Sequence, residues 1–171
     1  MRIFRALPAA VRQRAVRVAS PSYTLGAQAR VTRDDGRILL VKASYRWHWG
    51  LPGGLMDSGE SPAEATIRET REETSLDIEL VGEPTVIVET AMQRVNFVFD
   101  AVPAEGADPD KIKPQASEIL ELGWFEVEKL PDTIDDDYEK ILLRRASADA
   151  DSQIIVTTEI CSDRPEGQAR R

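Results

Sequence analysis

A glycine-rich turn followed closely by an acidic helix is the feature that most constrains this chain. Residues 49–54 read Trp-Gly-Leu-Pro-Gly-Gly, and glycine and proline at this density cannot lie inside a helix. A helix is predicted from about Ser61 to Thr74, because Ser61 and Glu64 have the spacing of a capping box and Pro62 suits the first helical position. The fold must therefore join a tight connecting loop to a well-capped helix.

One face of the predicted helix carries three carboxylates. At 100° per residue, Glu69, Glu72 and Glu73 share one face, and the opposite face, predicted to be buried, holds Ala63, Ile67, Thr70 and Thr74. The carboxylates repel one another, and Arg68, four residues before Glu72, can offset only part of that repulsion. Two interpretations follow, a solvated acidic surface or a cation site. Oxygen ligands would select a hard ion, Mg²⁺ first, with Mn²⁺ or Ca²⁺ as substitutes.

The paired glycines before the helix favour the cation site. Gly53 and Gly54 allow the backbone to approach the helix without obstruction by a side chain. A free carbonyl there can complete a metal shell, and the amides can approach phosphate oxygens.

The remaining pattern predicts strands on both sides of the acidic helix. They are expected at residues 23–33, 37–41, 78–88, 95–102, 122–127 and 153–160. Asp34-Asp35-Gly36 is typical of a hairpin turn joining the first two strands. A second helix is predicted over 137–146, and residues 103–118 form a long polar loop. This order predicts an α/β (α+β) fold with helices on either side of a mixed sheet.

Length and charge predict one main domain with a basic extension. A chain of 171 residues is most simply one domain, here residues 21–161. Residues 1–30 hold six arginines and no acid, and residues 1–20 are predicted to form a basic helix or arm. We expect this arm to dock on the acidic body or on a partner subunit, although a transit peptide or membrane-surface helix has a similar composition. Residues 162–171 are predicted to be a disordered tail.

Composition narrows the partners and the compartment. The net charge of −8 disfavours general nucleic-acid binding. Cys161 is the single cysteine, so no internal disulfide points to an oxidising compartment. No apolar run reaches the ~18 residues of a membrane span. We therefore predict a cytoplasmic protein without a membrane span. The strand at 153–160 and the basic arm also suggest a homodimer.

The acidic helix and its flanks match the pattern of a known family. The fixed residues of the pattern, with the number of residues between them, are Gly54, five residues, Glu60, seven residues, Arg68-Glu69, two residues, Glu72-Glu73, two residues and Leu76. This pattern is similar to the diagnostic box of the Nudix hydrolases. The chain resembles that family over roughly residues 23–147. Two positions depart from it. Ser75 replaces the usual glycine at the helix end, and Thr70 replaces a larger apolar residue.

The resemblance implies an α/β/α sandwich with a mixed central sheet and a Mg²⁺-dependent pyrophosphohydrolase, with Mn²⁺ as a substitute. The substrate would be a nucleoside diphosphate linked to another group, such as a (d)NTP or ADP-ribose. The implied metal ligands are the Gly53 carbonyl, Glu69, Glu72 and Glu73. Arg68 would orient the carboxylates, while Gly54 and Glu60 would support the loop or the outer shell.

The general base and the substrate contacts stay open at this level. The base is either Glu72 or Glu118 at the end of the long loop, with Glu121 behind it. Substrate contacts are predicted at Tyr45, Arg46, Trp47 and Lys111, although aromatic residues beside a glycine-rich loop more often pack in the core. His48, the only histidine, is not expected to be catalytic. Two alternatives are an RNA 5′-end pyrophosphohydrolase, supported only by the basic arm, and a non-catalytic nucleotide-binding module.

Overall fold

The computed structural model describes Pro8 and residues 22–114, 117–134 and 154–157. The predicted second helix, nearly all of the basic arm and the predicted tail lie outside these residues. The elements, in chain order, are β1 Thr24–Val31, β2 Ile38–Ala43, β3 Gly53–Leu55, α1 Pro62–Thr74, β4 Ile78–Glu89, β5 Arg94–Pro103, a 3₁₀ turn Pro109–Lys111, β6 Ile119–Phe125, a 3₁₀ turn Val127–Lys129 and β7 Ile154–Thr157.

The strands form two sheets. The larger sheet has the order β3-β1-β5-β4-β7 and is mixed, because β1 pairs with β5 and β4 with β7 in parallel while the other two pairings are antiparallel. The smaller sheet pairs β2 with β6 antiparallel. The prediction of an α+β fold with a mixed sheet is confirmed. One α-helix, α1, lies within the described part of the chain.

The prediction that β1 and β2 form a hairpin is wrong beyond the turn that joins them. The turn forms, with Gly36 at φ +82° and its amide donating to the Arg33 carbonyl. After a single bridge between Thr32 and Ile38, β2 leaves β1 and pairs with β6. The physical reason is that β3 and β5 already occupy the two edges of β1, so no edge is left for β2.

The glycine-rich segment was predicted as a connecting loop, and its last residues instead form a strand. Gly53 and Gly54 pair with Gln28 and Ala27 of β1. Gly53 has φ +143°, and a Cβ at this position would collide with the Ala27 carbonyl. Only glycine allows this edge strand to lie so close to β1. The β6 strand also begins earlier than predicted, at Ile119.

Helix α1 has the predicted start but a different buried face. The capping box between Ser61 and Glu64 is present. However, Ile67 is 38% exposed, while Glu73 is only 9% exposed. The buried residues are Ala65, Thr66, Thr70, Glu73 and Thr74.

The helix backbone satisfies the hydroxyls of two of the three buried threonines on α1, while the Thr70 hydroxyl has no hydrogen-bond partner among the described residues. The Thr66 and Thr74 hydroxyls donate to the carbonyls four residues earlier, at 2.8 and 2.6 Å. The helix therefore needs no apolar stripe of the expected width to pack on the sheet. Compared with the prediction, α1 is rotated about its axis. The rotation turns Glu73 toward β3, which begins with Gly53 and Gly54 and is called the glycine strand below.

The core lies on both faces of the larger sheet. One cluster joins Ile38, Leu40, Leu51, Ile87, Val98 and Ile134, and another joins Ala29, Val31, Leu39, Leu76, Ile78 and Ala101. β1 is buried on both faces from Gly26 to Ala29, which fixes it between α1 and the opposite layer. Among the described residues, no helix has the length and apolar character required to cross a membrane.

Candidate active site

A cleft of about 390 Å³ opens where α1, the glycine strand and the loops around β2 and β6 meet. Its lining residues are Gly26, Gln28, Tyr45, Arg46, Gly53, Gly54, Leu55, Glu69, Glu73, Arg94, Asn96 and Glu118. Part of the lining comes from the paired strands β3, β1 and β5. Gly26 of β1 lies beside Leu55 of β3 on one side and beside Asn96 of β5 on the other. The acidic end is built by α1 and the loop before β6.

Glu73 is the buried carboxyl of the cleft. Its Oε2 accepts a hydrogen bond of 2.8 Å from the Gly53 amide. The alternation of β3 explains this contact, because the Pro52 carbonyl and the Met56 amide bond to β1, leaving the Gly53 amide facing the helix. The alternating direction of the backbone groups in β3 and the rotation of α1 together bring the Gly53 amide into contact with the Glu73 carboxylate.

The surroundings of Glu73 disfavour its charged form. Burial raises the pKa of its carboxyl to about 7, and the negative charges of Glu69 and Glu118 act in the same direction. The Gly53 amide and the positive charge of Arg46 oppose this rise in pKa only in part. A cation in the cleft would offset the free-energy cost of burying this negative charge.

Glu69 lies against Gly54. A Cβ at Gly54 would come within 2.6 Å of the Glu69 carboxylate, so a larger residue could not stand there without moving that side chain. The glycine therefore provides the room in which this carboxylate reaches the cleft.

Arg68 connects the helix to the loop and the strand. Its guanidinium binds both oxygens of Glu60, at 2.8 and 2.9 Å, and Oε1 of Glu69 at 2.7 Å. It also donates to the Leu55 carbonyl at 3.1 Å, while its contact with Glu72 is long, at 3.5 Å. A planar guanidinium suits this fork of partners, which a lysine could not reproduce. Arg68 thus fixes the orientation of Glu69.

Glu60 belongs to this network and not to the cleft lining. Hydrogen bonds from Arg68, and then from the Asp57 amide, lower the pKa of Glu60 to about 2. The Asp57 amide donates at 2.9 Å, so Glu60 also holds the turn before α1. The carboxylate is therefore ionised throughout the physiological pH range and supports Arg68.

The structure brings some of the sequence-predicted residues together and separates others. Gly53, Gly54, Glu69, Glu73, Glu118, Tyr45 and Arg46 line the cleft. Glu72 lies on the neighbouring helix surface, with its side chain 58% exposed. Trp47 is 41% exposed outside the cleft lining, and Lys111 pairs with Asp108 at 2.9 Å. Glu121 pairs with Lys42 at 3.1 Å and does not line the cleft either.

The donor chemistry of the acidic end fits a hard divalent cation. Glu69, Glu73 and Glu118 offer carboxylate oxygens, and the Gly53 carbonyl belongs to the residue whose amide contacts Glu73. Oxygen ligands of this kind suit Mg²⁺, which keeps several waters and shares its shell with substrate phosphates. In the described ranges, no three His, Cys, Asp or Glu side chains are placed so that they could hold a metal ion by themselves.

Five lining residues had not been predicted from the sequence, and one of them, Leu55, belongs to β3. Gly26, Gln28, Arg94 and Asn96 come from β1 and β5 and form the floor of the cleft. A signal was available in Gln28 and Asn96, two polar residues with apolar neighbours on both sides in the sequence, and the structure leaves them only 4% and 8% exposed. Their shared face could not be recognised without the parallel pairing of β1 and β5.

Comparison with known proteins identifies the family. A family model of the NUDIX domain matches residues 22–145. This chain belongs to the Nudix family. A "MutT-like protein" of Streptomyces ambofaciens is 27% identical to it over 123 residues, which are 72% of this chain and 77% of that protein. The 8-oxo-dGDP phosphatase of Mus musculus is 36% identical over 104 residues, which are 57% of this chain but 31% of the mouse protein.

A solved structure supports the Nudix fold. The crystal structure of the NUDIX hydrolase from Nitrosomonas europaea superposes with a TM-score of 0.69, covering 82% of this chain and 81% of that one. The two sequences are 20% identical, so this likeness establishes the fold alone. With the family match, the chain is a Nudix hydrolase of the pyrophosphohydrolase type, and such enzymes generally use a divalent metal.

Proposed function

We propose that this Nudix hydrolase cleaves a pyrophosphate bond in a free nucleotide or nucleotide derivative, with Mg²⁺ as the physiological cation. The observation that carries the proposal is the buried carboxyl of Glu73, held by the Gly53 amide in a cleft that also contains Glu69 and Glu118. The mouse relative acts, by its name, on 8-oxo-dGDP, which is a nucleoside diphosphate.

The chain's own residues divide into ligands and supports. Glu69, Glu73 and the Gly53 carbonyl would hold the cation, and Glu72 would complete its shell from the rim of α1. The cation would neutralise charge on the phosphate oxygens and lower the pKa of a bound water. Arg68 holds Glu69 in place through contacts with Glu60 and the Leu55 carbonyl.

Glu118 is the proposed general base, with Glu72 as the competing candidate. Glu118 lines the cleft and comes from a different element than the proposed ligands, so it can approach a water from the opposite side. Its backbone is fixed by a hydrogen bond of 2.7 Å from the Ser44 amide to its carbonyl. A base within reach of the attacking water would accept its proton as the bond to phosphorus forms.

The substrate end of the cleft contains both aromatic and basic groups. The Arg46 guanidinium lies 5.5 Å from the ring centroid of Tyr45, and both side chains line the cleft. They would contact the base or the phosphates of a bound nucleotide. Trp47 and Lys111, which lie outside the lining, are weaker candidates for substrate contact.

The test is release of the cleavage products (a nucleoside monophosphate with phosphate, pyrophosphate or a sugar phosphate), resolved by chromatography, from a nucleotide panel in Mg²⁺, in Mn²⁺ or in EDTA. The panel includes dNTPs, 8-oxo-dGTP, 8-oxo-dGDP, ADP-ribose and a 5′-triphosphate RNA. We expect metal-dependent release from at least one free nucleotide, loss of that release in Glu73→Gln, and a flattened acidic limb of the pH profile in Glu118→Gln. Release in EDTA, or full activity of Glu73→Gln, would contradict the proposal.

The 5′-triphosphate RNA in the panel distinguishes activity on RNA ends from activity on free nucleotides. Activity on RNA ends alone would favour the 5′-end pyrophosphohydrolase. A cytoplasmic location and a homodimer remain predictions, which fractionation and sedimentation would test.

A further inference from the structure

Two side chains that β5 contributes to the cleft floor remain outside the proposed catalytic machinery. Arg94 and Asn96 lie two residues apart on β5, so they project from the same face of the strand. Both line the cleft, together with Gly26 of the neighbouring strand β1. Because the proposed metal ligands come from other elements, α1 and the glycine strand, this part of the floor is available to the part of a substrate that lies beyond its phosphates.

Asn96 is held in one orientation by Glu89. Its amide nitrogen donates a hydrogen bond of 2.7 Å to the Glu89 carboxylate, which has no proton to donate when ionised. The carbonyl oxygen of the Asn96 side chain must then point away from Glu89, and it lies over Gly26. A Cβ at Gly26 would collide with this oxygen. Glycine at position 26 and glutamate at position 89 together fix a hydrogen-bond acceptor on the floor of the cleft.

Arg94 supplies donors beside that acceptor. Within residues 22–114, 117–134 and 154–157, its guanidinium makes no ion pair or side-chain hydrogen bond, although it is partly buried. Arg46, the other arginine that lines the cleft, lies over the ring of Tyr45. A guanidinium has five donors and no acceptor. The Arg94 donors are therefore available to an acceptor on a bound molecule.

We propose that Arg94 and Asn96 bind the nucleobase of the substrate by its lactam edge, where a carbonyl group stands next to a ring N–H. Arg94 donates to the carbonyl, and the Asn96 side-chain oxygen accepts from the N–H. Guanine, hypoxanthine and uracil have this edge. Adenine and cytosine have the two groups in the reverse order: in the same pose, their amino group would face the donors of Arg94 and their ring nitrogen would face the Asn96 oxygen, so neither hydrogen bond could form. The inference rests on the proposed function only in taking the substrate to be a nucleotide.

The chain allows a binding test that does not depend on turnover. Asn96 is its only asparagine, so a sample labelled with ¹⁵N-asparagine gives one side-chain amide signal. We expect GMP, IMP and UMP to shift this signal and AMP and CMP to bind roughly tenfold or more weakly. Titration calorimetry gives the affinities of the same five nucleotides.

Variants separate reading of the base from general damage. Asn96→Leu and Arg94→Met should each weaken GMP binding about tenfold or more and bring it close to that of AMP. Glu89→Gln, whose amide can pair with Asn96 in either orientation, should reduce the preference for GMP over AMP more than it reduces overall binding. Arg33→Met is the matched control, since Arg33 pairs with Asp110 at 2.6 Å outside the cleft, and it should bind like the wild type.

The outcomes distinguish this proposal from the proposed function. Equal binding of GMP and AMP, wild-type binding by Asn96→Leu, or no binding of any of the five nucleotides would overturn the proposal. If GMP binds through Asn96 but no nucleotide is hydrolysed, the base site stands and the hydrolase proposal fails. Folding of each variant is checked by its thermal unfolding and by the dispersion of its amide spectrum.

Discussion

Two groups of carboxylates flank the glycine strand, and the protein treats them in opposite ways. Glu60 and Glu69 both bind the guanidinium of Arg68, and the pKa of Glu60 falls to about 2. Glu73 is buried, it accepts a hydrogen bond from the neutral Gly53 amide, and its pKa rises to about 7. In the first group, Arg68 neutralises Glu60, which acts as a support, and orients Glu69 as a proposed ligand. The second retains a demand for positive charge that a divalent cation would meet.

The largest effect expected from this contrast is on turnover. Glu73→Gln keeps the shape of the side chain but removes its charge, and we expect kcat to fall roughly 1,000-fold, about 4 kcal/mol, because a metal ligand is lost. Glu60→Gln should cost only about tenfold, because it acts through Arg68. Measurements of kcat against Mg²⁺ concentration check both. Equal losses in the two variants would show that the division between ligand and support is wrong.

The next effect is on stability as a function of pH. A carboxyl with a folded pKa of about 7 against an ordinary 4.5 binds more protons in the folded state than in the unfolded state. Stability of the metal-free protein should therefore fall as pH rises from 4.5 to 7, by about 3 kcal/mol at most.

Urea unfolding in EDTA at a series of pH values measures this slope. Glu73→Gln should remove it, while Glu60→Gln should leave it in place. Added Mg²⁺ should restore stability at pH 7 in the wild type and not in Glu73→Gln. A wild-type protein whose stability is flat across this range would contradict the burial of a charged Glu73.

A smaller effect should follow from the shape of the supporting cation. Arg68→Lys keeps the charge but cannot bind both oxygens of Glu60, Glu69 and the Leu55 carbonyl together. We expect kcat to fall between about 10- and 100-fold, as for other groups that orient metal ligands. Lys129→Arg, on the exposed 3₁₀ turn, controls for exchange between the two cations. Full activity of Arg68→Lys would mean that charge alone is required.

The smallest effect concerns the end of α1, two residues beyond Glu73. Ser75 has φ +61°, a left-handed conformation, and its hydroxyl donates to the Lys113 carbonyl at 3.3 Å. Ser75→Gly should stabilise the protein by up to about 1 kcal/mol, since glycine adopts this conformation without strain.

Ser75→Ala keeps the strained conformation without the hydroxyl, so it should be no more stable than the wild type. Thermal unfolding of the three proteins decides the point. If Ser75→Gly is destabilised instead, the contact with Lys113 outweighs the conformational cost of serine.

Local features of this protein were predictable because they depend on neighbouring residues. The capping box of Ser61 and Glu64 formed as expected, and α1 ends at Thr74 as predicted, with Ser75 as its C-cap. The sequence pattern around Gly54 and Arg68 also sufficed to indicate the Nudix family, which the family match then confirmed.

Features that depend on distant pairing were not predictable. The missing hairpin between β1 and β2 follows from strands β3 and β5 occupying both edges of β1. The rotation of α1 that buries Glu73 and exposes Ile67 follows from its packing on the sheet, where the backbone satisfies the hydroxyls of Thr66 and Thr74.

The sequence by itself determined the capped acidic helix, the glycines before it and the family, because these are encoded over short stretches of chain. The tertiary structure decided which carboxylates enter the cleft and which surround Arg68, and it placed Arg94 and Asn96 beside Gly26. The physical reason is that burial and partner choice depend on what the rest of the fold brings alongside each side chain. Helical spacing alone gives Glu69, Glu72 and Glu73 the same surroundings, and packing makes them different.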